Sequence, residues 1–198
     1  MSVEVLTESP VSPPSTLGPY RHADYLSLPD EPRCELIFGR LYATPAPTGL
    51  HQFLLLLLAR RFDEIAKLTG GLALMAPLDV HLAEHSTVQP DLLYVTPEHR
   101  DRIRRSVEGA PDLVVEVLSE GSGRRDRGDK LRLYAESGVC EYWLIDPALR
   151  QVDFLINRGG RFEVALAIDG IYRSEALPAV TLDLNAFWSE VERRGPHT

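Results

Sequence analysis

The six residues Leu113-Val114-Val115-Glu116-Val117-Leu118 are apolar except for one glutamate. Their Val and Leu content, between Ala110-Pro111-Asp112 and Ser119-Glu120-Gly121, predicts a buried central strand. An ionised carboxylate in such a strand must be paired, protonated or bound to a metal, because desolvating it alone is very costly. Val at position 116 would serve folding better, so we expect Glu116 to have a function, with a divalent cation as its partner.

Length and composition predict a single domain. The chain has 198 residues, which is enough for one substantial core. We predict a disordered tail over residues 1–19, which is rich in Pro, Ser and Thr, and one domain over residues 20–198 that ends in a β-ribbon and a helix. No apolar run reaches the roughly 18 residues of a membrane span, and no secretory signal is visible. Cys34 and Cys140 form no CxxC motif, so a reducing compartment, the cytoplasm, is the predicted location.

The net charge of −8 argues against broad, non-specific nucleic-acid binding, which needs cations to neutralise phosphates. The basic residues are nevertheless clustered on both sides of the Glu116 strand. The two clusters are Arg100, Arg102, Arg104 and Arg105 before it, and Arg124, Arg125, Arg127, Lys130 and Arg132 after it. Solvated helix faces and a phosphate-binding rim explain these clusters equally well.

Helix and strand patterns alternate along the rest of the chain. Helices are predicted over residues 51–68 and 124–136. Strand patterns lie at residues 72–82, 92–95 and 141–147. This order predicts an α/β or α+β domain with a mixed sheet flanked by helices.

Two carboxylates fall on successive predicted strands, because Asp91 starts one and Glu116 lies within the next. Side chains on the same face of neighbouring strands lie close enough to share one ion. Two carboxylates with waters and a substrate phosphate are the ligands that Mg²⁺ typically accepts. Mg²⁺ or Mn²⁺ would then activate a water for phosphodiester hydrolysis. Lys130 is the candidate cation for stabilising the developing charge.

The same three residues also have structural explanations. Asp91 could simply be a turn or strand-end residue. Glu116 could form a buried ion pair with an arginine. Lys130 could form a solvated i,i+4 salt bridge with Asp126 on a helix.

Short motifs spread over roughly residues 20–160 form a set that is specific only when its members are taken together. The motifs are Glu35-Leu36-Ile37-Phe38-Gly39, His51, Gln89-Pro90-Asp91, Pro111-Asp112-Leu113-Val114-Val115-Glu116-Val117-Leu118-Ser119, Asp126, Lys130, Tyr134, Gly138-Val139, Glu141-Tyr142-Trp143 and Asp146-Pro147. This set resembles the Uma-type putative restriction endonuclease family, within the PD-(D/E)xK nuclease superfamily.

The resemblance implies a restriction-endonuclease-like αβββαβ core with Asp91 and Glu116 as the metal-binding acids. The sequence departs from the superfamily pattern at Leu118, where a lysine would share a strand face with Glu116. In the resembled family the lysine comes from the following helix, which corresponds to Lys130. Glu35 is implied as a further catalytic acid, although it could instead be exposed on an edge strand. The residues expected to line the site are His51, Asp126 and Tyr134. His51 could instead only open the long helix or make a core hydrogen bond, which is the commoner role of a lone histidine.

Three functions are compatible with these observations. The first is a Mg²⁺-dependent endonuclease that acts on DNA. The second is a catalytically idle nuclease-fold protein that binds nucleic acid or protein, and the third is an unrelated metal-binding domain acting on a small phosphorylated molecule. The acidic net charge favours the second and third, whereas the Asp91, Glu116 and Lys130 set favours the first. A homodimer built by the hairpin after Pro147 would suit a nuclease that cuts both strands.

Overall fold

The computed structural model describes residues 5–6, 17–29, 31–119 and 121–196, and these residues form two six-stranded sheets and a hairpin. In spatial order, the first sheet consists of β1 (Val5–Leu6), β3 (Arg40–Ala43), β2 (Cys34–Ile37), β6 (Ser86–Val88), β5 (Val80–Ala83) and β8 (Val107–Glu108). The second consists of β12 (Phe162–Ala165), β11 (Gln151–Asn157), β10 (Glu141–Asp146), β9 (Leu113–Val117), β7 (Leu92–Val95) and β4 (Leu72–Met75). The hairpin pairs β13 (Ile171–Arg173) with β14 (Thr181–Asp183).

Five α-helices connect or cover the sheets in the described part of the chain. They are α1 (His22–Leu26), α2 (Gly49–Thr69), α3 (Gly123–Arg125), α4 (Leu131–Ser137) and α5 (Leu184–Arg194). A 3₁₀ helix spans Pro97–Arg102, and a π-helical segment, Asp126–Lys130, joins α3 to α4. None of the described helices combines the length and apolar character that a membrane crossing requires.

Strand β9, which carries Glu116, lies inside the second sheet between β10 and β7. It pairs in parallel with β10 and antiparallel with β7, so the sheet is mixed. The side chains of Leu113, Val115 and Val117 face one core, which they share with helix α2 and with Trp143 of β10. Because alternate residues point to opposite faces, Glu116 faces the other way.

A second core fills the space between the two sheets and helix α4. Ile37 and Val80 of the first sheet pack there with Val114 of β9 and with Leu133 and Tyr134 of α4. This face of β9 is the one that presents Glu116. The glutamate therefore lies at the junction of both sheets and the helical segment that follows β9.

The predicted mixed sheet flanked by helices is confirmed. The strand pattern at residues 72–82 divides into two strands, because β4 joins the second sheet and β5 joins the first. Of the tail predicted over residues 1–19, Val5–Leu6 pairs in parallel with β3 and the Gly18 N–H donates to the carbonyl of Phe38. Most of the remaining tail lies outside the described residues, and the single domain over residues 20–198 stays a prediction.

Candidate active site

Asp91 and Glu116 lie on adjacent antiparallel strands. Leu92 of β7 is paired with Val115 of β9, so Asp91, just before Leu92, comes opposite Glu116. One oxygen of the Asp91 carboxylate, Oδ2, accepts a hydrogen bond from the N–H of Val117 at 2.7 Å. This bond ties the Asp91 side chain to the strand that carries Glu116.

Lys130 is the cation at the centre of the site. Its Nζ lies 2.7 Å from Glu116 Oε1, 2.9 Å from Glu35 Oε1 and 3.7 Å from Asp126 Oδ1. The Lys130 side chain is only 5% exposed. The solvated i,i+4 salt bridge with Asp126 is therefore wrong, because the lysine holds three carboxylates inside the protein. Glu116 is indeed in a buried ion pair, but with this lysine rather than with an arginine.

Glu35 is 2% exposed, and its strand β2 lies between β3 and β6. Exposure on an edge strand is therefore wrong for this residue. Its Oε1 also accepts a hydrogen bond from the N–H of Gln89 at 2.8 Å, and its Oε2 lies 3.9 Å from the guanidinium of Arg125. Glu35 thus links the first sheet to Lys130.

Burial changes the proton affinities in this cluster. Burial raises the pKa of Glu116 well above its ordinary value; the Lys130 charge opposes the shift and the Asp91 charge adds to it. The pKa of Asp126 is raised for the same first reason, again against Lys130. Burial would lower the pKa of Lys130, but Glu116, Glu35 and Asp126 together raise it well above its ordinary value. Lys130 therefore stays protonated, and Glu116 and Asp126 retain protons more readily than exposed acids.

Tyr134 of α4 contacts the same carboxylate oxygen of Glu116 as Lys130 does. Its hydroxyl donates to Glu116 Oε1 at 2.8 Å, and its ring meets the ring of Tyr142 edge-on at 5.0 Å between centroids. Burial raises the pKa of Tyr134 well above its ordinary value, so the hydroxyl remains a donor. Glu116 Oε1 accepts from both Lys130 and Tyr134, which identifies it as the unprotonated oxygen.

His51 lies near the start of α2, where the Thr48 side chain caps the helix by accepting from the His51 N–H. Its Nε2 is 3.0 Å from Asp91 Oδ2 and donates to it, because a carboxylate oxygen that already accepts from Val117 is an acceptor. Its buried Nδ1 has no hydrogen-bond partner among the described residues. Both hydrogen bonds described for the Asp91 side chain use Oδ2, which leaves Oδ1 for a ligand.

A cleft of about 1400 Å³ is lined by most of these residues, namely Glu35, His51, Asp91, Glu116, Asp126 and Lys130. Tyr134, which the sequence placed at the site, is buried behind Glu116 and is not among the described lining residues. The lining comes from both sheets, the start of α2, the segment after β9 and the π-helical segment. Its charged members are Arg33, Glu35, Asp91, Glu116, Arg125, Asp126, Arg127, Lys130 and Asp146, and His51 lies among them. Leu118 also lines the cleft, so the position at which the resemblance implied a lysine holds an apolar side chain on the same side as Glu116.

The two basic clusters of the sequence differ in their position relative to the cleft. Arg100 and Arg102 of the first cluster donate to the backbone carbonyls of Gly70 and Ala110, and no member of that cluster lines the described cleft. In the second cluster, Arg125, Arg127 and Lys130 do line it. Of the two clusters, only the second is positioned to contribute to a phosphate-binding rim.

Arg125 is a site residue that the sequence did not single out. It is buried, its guanidinium lies 4.7 Å above the ring of Tyr42, and one nitrogen donates to the Ala43 carbonyl at 3.3 Å. Its Nε has no hydrogen-bond partner among the described residues. In the sequence it is one member of a basic run beside Asp126, and nothing in that run distinguishes a buried arginine from an exposed one.

The charge of the cluster suits a divalent cation. The four acids that interact with Lys130 or Glu116 outnumber the two cations in contact with them, which leaves a formal surplus of two negative charges when all are ionised. The acids are Glu35, Asp91, Glu116 and Asp126, and the cations are Arg125 and Lys130. The described residues bring no three His, Cys, Asp or Glu side chains into one metal-binding group. This arrangement fits an ion such as Mg²⁺, which binds one or two carboxylates and keeps several waters, rather than a closed protein cage.

Comparisons with known proteins agree with this architecture. A crystal structure described as a putative nuclease belonging to DUF820, from Anabaena variabilis ATCC 29413, superposes with a TM-score of 0.75. It is 22% identical in sequence, and the match covers 86% of this chain and 98% of that one, so it establishes the fold. No curated protein matches the chain. Residues 22–185 match the sequence model of the Uma2 family, described as putative restriction endonucleases, and the chain therefore belongs to that family.

Proposed function

We propose that this protein is a metal-dependent nuclease that hydrolyses phosphodiester bonds in DNA. The observation that carries the proposal is the meeting of Asp91 and Glu116, from paired strands, in one cleft with Lys130 only 2.7 Å from Glu116. Two acids for a metal and one protonated amine for a phosphate are the groups that phosphodiester hydrolysis needs. Membership of the Uma2 family supports the same activity.

Asp91 and Glu116 are the residues that would hold Mg²⁺ or Mn²⁺. When bound, the ion would supply polarisation of a phosphoryl oxygen and a lower pKa for a bound water. Asp91 is oriented for this role by the N–H of Val117 and by His51, which both occupy its Oδ2. Such hydrogen bonds to a ligating carboxylate fix its direction before the metal arrives.

Lys130 would stabilise the negative charge that develops on the phosphate. Its three neighbouring carboxylates keep it protonated and hold its ammonium group in place beside Glu116. It takes this role from the next helical segment because Leu118 occupies the usual lysine position. Glu35 is proposed as the further acid of the site, and its contacts with Lys130 and with the Gln89 N–H give it a direct part in positioning the lysine.

One observation favours the alternative of a catalytically idle nuclease fold. The Lys130 ammonium is buried against Glu116 and Glu35, so its charge is already neutralised inside the protein. An idle member would keep this ion cluster for stability and use its surface to bind nucleic acid or another protein. The nuclease proposal instead requires metal and substrate to reach Glu116 and Lys130 from the cleft that both residues line.

Cleavage of plasmid DNA and of single-stranded DNA, with Mg²⁺ or Mn²⁺ and with EDTA, tests the proposal. We expect metal-dependent cleavage by the natural protein and by Glu136→Gln, a control on exposed Glu136, which pairs with Arg132 at 2.8 Å. Glu116→Gln should reduce this cleavage at least about a hundredfold. Cleavage at the natural rate in Glu116→Gln would contradict the assigned site. No cleavage by the natural protein with either metal would contradict the nuclease and favour the idle fold.

Homodimerisation and a cytoplasmic location stay predictions. Strand β12 is an edge of the second sheet, and Val164 on it and Leu166 just after it are exposed apolar side chains, which supports an interface there. Light scattering on the full chain should give the mass of two copies. The dimer would be contradicted if the natural protein has the mass of one copy and the Val164→Glu variant has that same mass.

A further inference from the structure

Four lysine or arginine side chains are among the described residues that line the cleft, and three of them are already engaged. Lys130 contacts Glu116 and Glu35, and Arg125 lies 3.9 Å from Glu35. Arg127 donates to Asp146 at 3.1 Å and to Asp153 at 2.6 Å. These three cations are therefore neutralised by the protein itself.

The fourth cation, Arg33, forms no side-chain hydrogen bond or ion pair with any other residue in the described ranges, although it lines the same cleft. Its backbone is fixed, because its carbonyl accepts from the Thr44 N–H at 2.8 Å and continues the pairing of β2 with β3. Glu35 follows two residues later and also lines the cleft, as expected for alternate residues of an extended strand. Arg33 is thus an unengaged guanidinium on a rigid support beside the acid cluster.

The negative charge of the surrounding acids makes Arg33 important for phosphate binding. The acids around Lys130 outnumber the cations that contact them by two charges, which a bound divalent ion would only balance. Without another cation, the inner cleft therefore offers a phosphate no net positive charge. A guanidinium offers two parallel N–H donors to a phosphate, and such charge-assisted pairs are stronger than neutral hydrogen bonds. The cleft provides one such group and no second unengaged lysine or arginine among its described lining residues.

We propose that Arg33 binds a phosphate of the substrate strand next to the bond that is cut, and that the substrate is a single strand held in the cleft through about one phosphate contact. This inference rests on the proposed nuclease activity. Proteins that bind long duplex tracts neutralise many phosphates, on the order of 6–10. The net charge of −8 and the one unengaged cation among the described lining residues of the cleft do not provide for this. The substrate class is therefore a single-stranded segment, such as an end, a flap or a loop.

The dependence of cleavage on salt tests this inference. For a short single-stranded oligonucleotide with Mg²⁺, log(kcat/KM) should fall with log[KCl] with a shallow slope of about −0.7, the value for one phosphate on a single strand. Arg33→Gln should bring the slope close to zero and lower kcat/KM at low salt about tenfold to a hundredfold, mainly through KM. Arg33→Lys, which keeps the charge without the planar fork, should restore the slope and part of the rate.

The matched control is Arg105→Gln, because Arg105 is exposed, lies outside the cleft lining and has no described side-chain partner. It should leave slope and rate unchanged, and both variants should keep the Tm of the natural protein. Three results would overturn the inference while leaving the nuclease intact. The first is a salt slope of the natural protein several times steeper than about −0.7. The second is a cleavage rate and slope of Arg33→Gln equal to those of Arg105→Gln, and the third is a large loss of Tm in Arg33→Gln. If the natural protein cleaves no nucleic acid, the nuclease proposal fails and the inference fails with it.

Discussion

Glu116 and Glu141 are both buried glutamates on adjacent parallel strands of the same sheet, yet their surroundings differ completely. Glu141 is 0% exposed and accepts four hydrogen bonds from neutral donors: the Trp143 indole, the Tyr172 and Ser174 hydroxyls and the Ala176 N–H. Glu116 instead shares a cation with other acids and faces a cleft. A buried carboxylate is therefore not in itself a sign of catalysis.

The two sites also do different work for the molecule. The donors to Glu141 come largely from the segment around β13, so this glutamate fastens the C-terminal part of the described chain to the sheet. The hydrogen bonds that its buried carboxylate needs are all supplied by the protein. Around Glu116 the acids exceed the cations, and this imbalance is what a bound divalent ion would relieve. Competition between like charges, together with access, distinguishes the candidate active site from the structural one.

The same substitution at both glutamates should have opposite effects, and this is the largest effect we expect. Glu116→Gln should reduce metal-dependent cleavage at least about a hundredfold, because it removes a proposed metal ligand. It should cost little stability, since it also removes repulsion from Asp91 and Asp126. Glu141→Gln should lower the free energy of unfolding by about 1–3 kcal/mol, because the amide NH₂ of glutamine would face N–H donors.

Urea unfolding and initial cleavage rates measure both effects, with rates taken at temperatures where each variant is folded. The comparison fails if the two variants have the same profile, or if Glu141→Gln loses cleavage while it remains folded.

Removing the central cation should be the next largest effect. Lys130→Met leaves Glu35, Glu116 and Asp126 without their shared partner, which should destabilise the protein by about 3–5 kcal/mol near neutral pH and abolish cleavage. The pKa values of Glu116 and Asp126 are raised in the folded state, so their protonation favours folding. Stability should therefore be regained as pH falls and lost as pH rises through the raised pKa values.

Urea unfolding of Lys130→Met between about pH 5 and pH 8 measures this dependence. Lys67→Met, which removes an exposed i,i+4 partner of Asp63, provides the control and should leave stability nearly unchanged. A deficit in Lys130→Met that does not shrink on acidification would show that the acids are not the source of its instability.

His51 should affect metal affinity through Asp91. His51→Leu removes the donor to Asp91 Oδ2 and should weaken Mn²⁺ binding about tenfold to a hundredfold. His51→Gln can place an N–H near the position of Nε2 and should retain most of the affinity. Calorimetric titration with Mn²⁺ measures this difference, and equal affinities for the two variants would remove His51 from the positioning of Asp91.

The smallest effects should come from the tyrosine hydroxyls at the two glutamates. Tyr134→Phe removes one donor from Glu116, and Tyr172→Phe removes one from Glu141. Each should cost about 1.5–3 kcal/mol of stability, because the acceptor is a charged group. Only Tyr134→Phe should also slow cleavage. If Tyr172→Phe cleaves more slowly than the natural protein when both are folded to the same fraction, the two sites are not functionally distinct.

The sequence predicted the strand around Glu116 and the helix that ends before Gly70, because apolar periodicity and a terminal glycine are local signals. It also indicated Asp91 and Glu116 as partners from their places on successive strands. Local patterns could not separate Glu116 from Glu141, since both lie in short apolar runs. The difference depends on which elements pack above each face of the sheet.

Other features depended on tertiary structure in the same way. The i,i+4 spacing of Asp126 and Lys130 is the same in a solvated helix and in the buried π-helical segment, so the spacing could not reveal burial. The apolar pattern at residues 72–82 gave no sign that the chain passes from one sheet to the other. Arg33 belongs to no motif, and its position in the cleft follows only from the register of β2.

Mn²⁺ titration of the natural protein, Glu116→Gln and Glu141→Gln, followed by electron paramagnetic resonance, tests the central claim most directly. If Glu116 is a metal ligand and Glu141 is structural, the natural protein and folded Glu141→Gln should each bind Mn²⁺ with similar affinity, and Glu116→Gln should lose that binding. Equal binding by Glu116→Gln, or no binding by the natural protein, would contradict the assignment of the metal site.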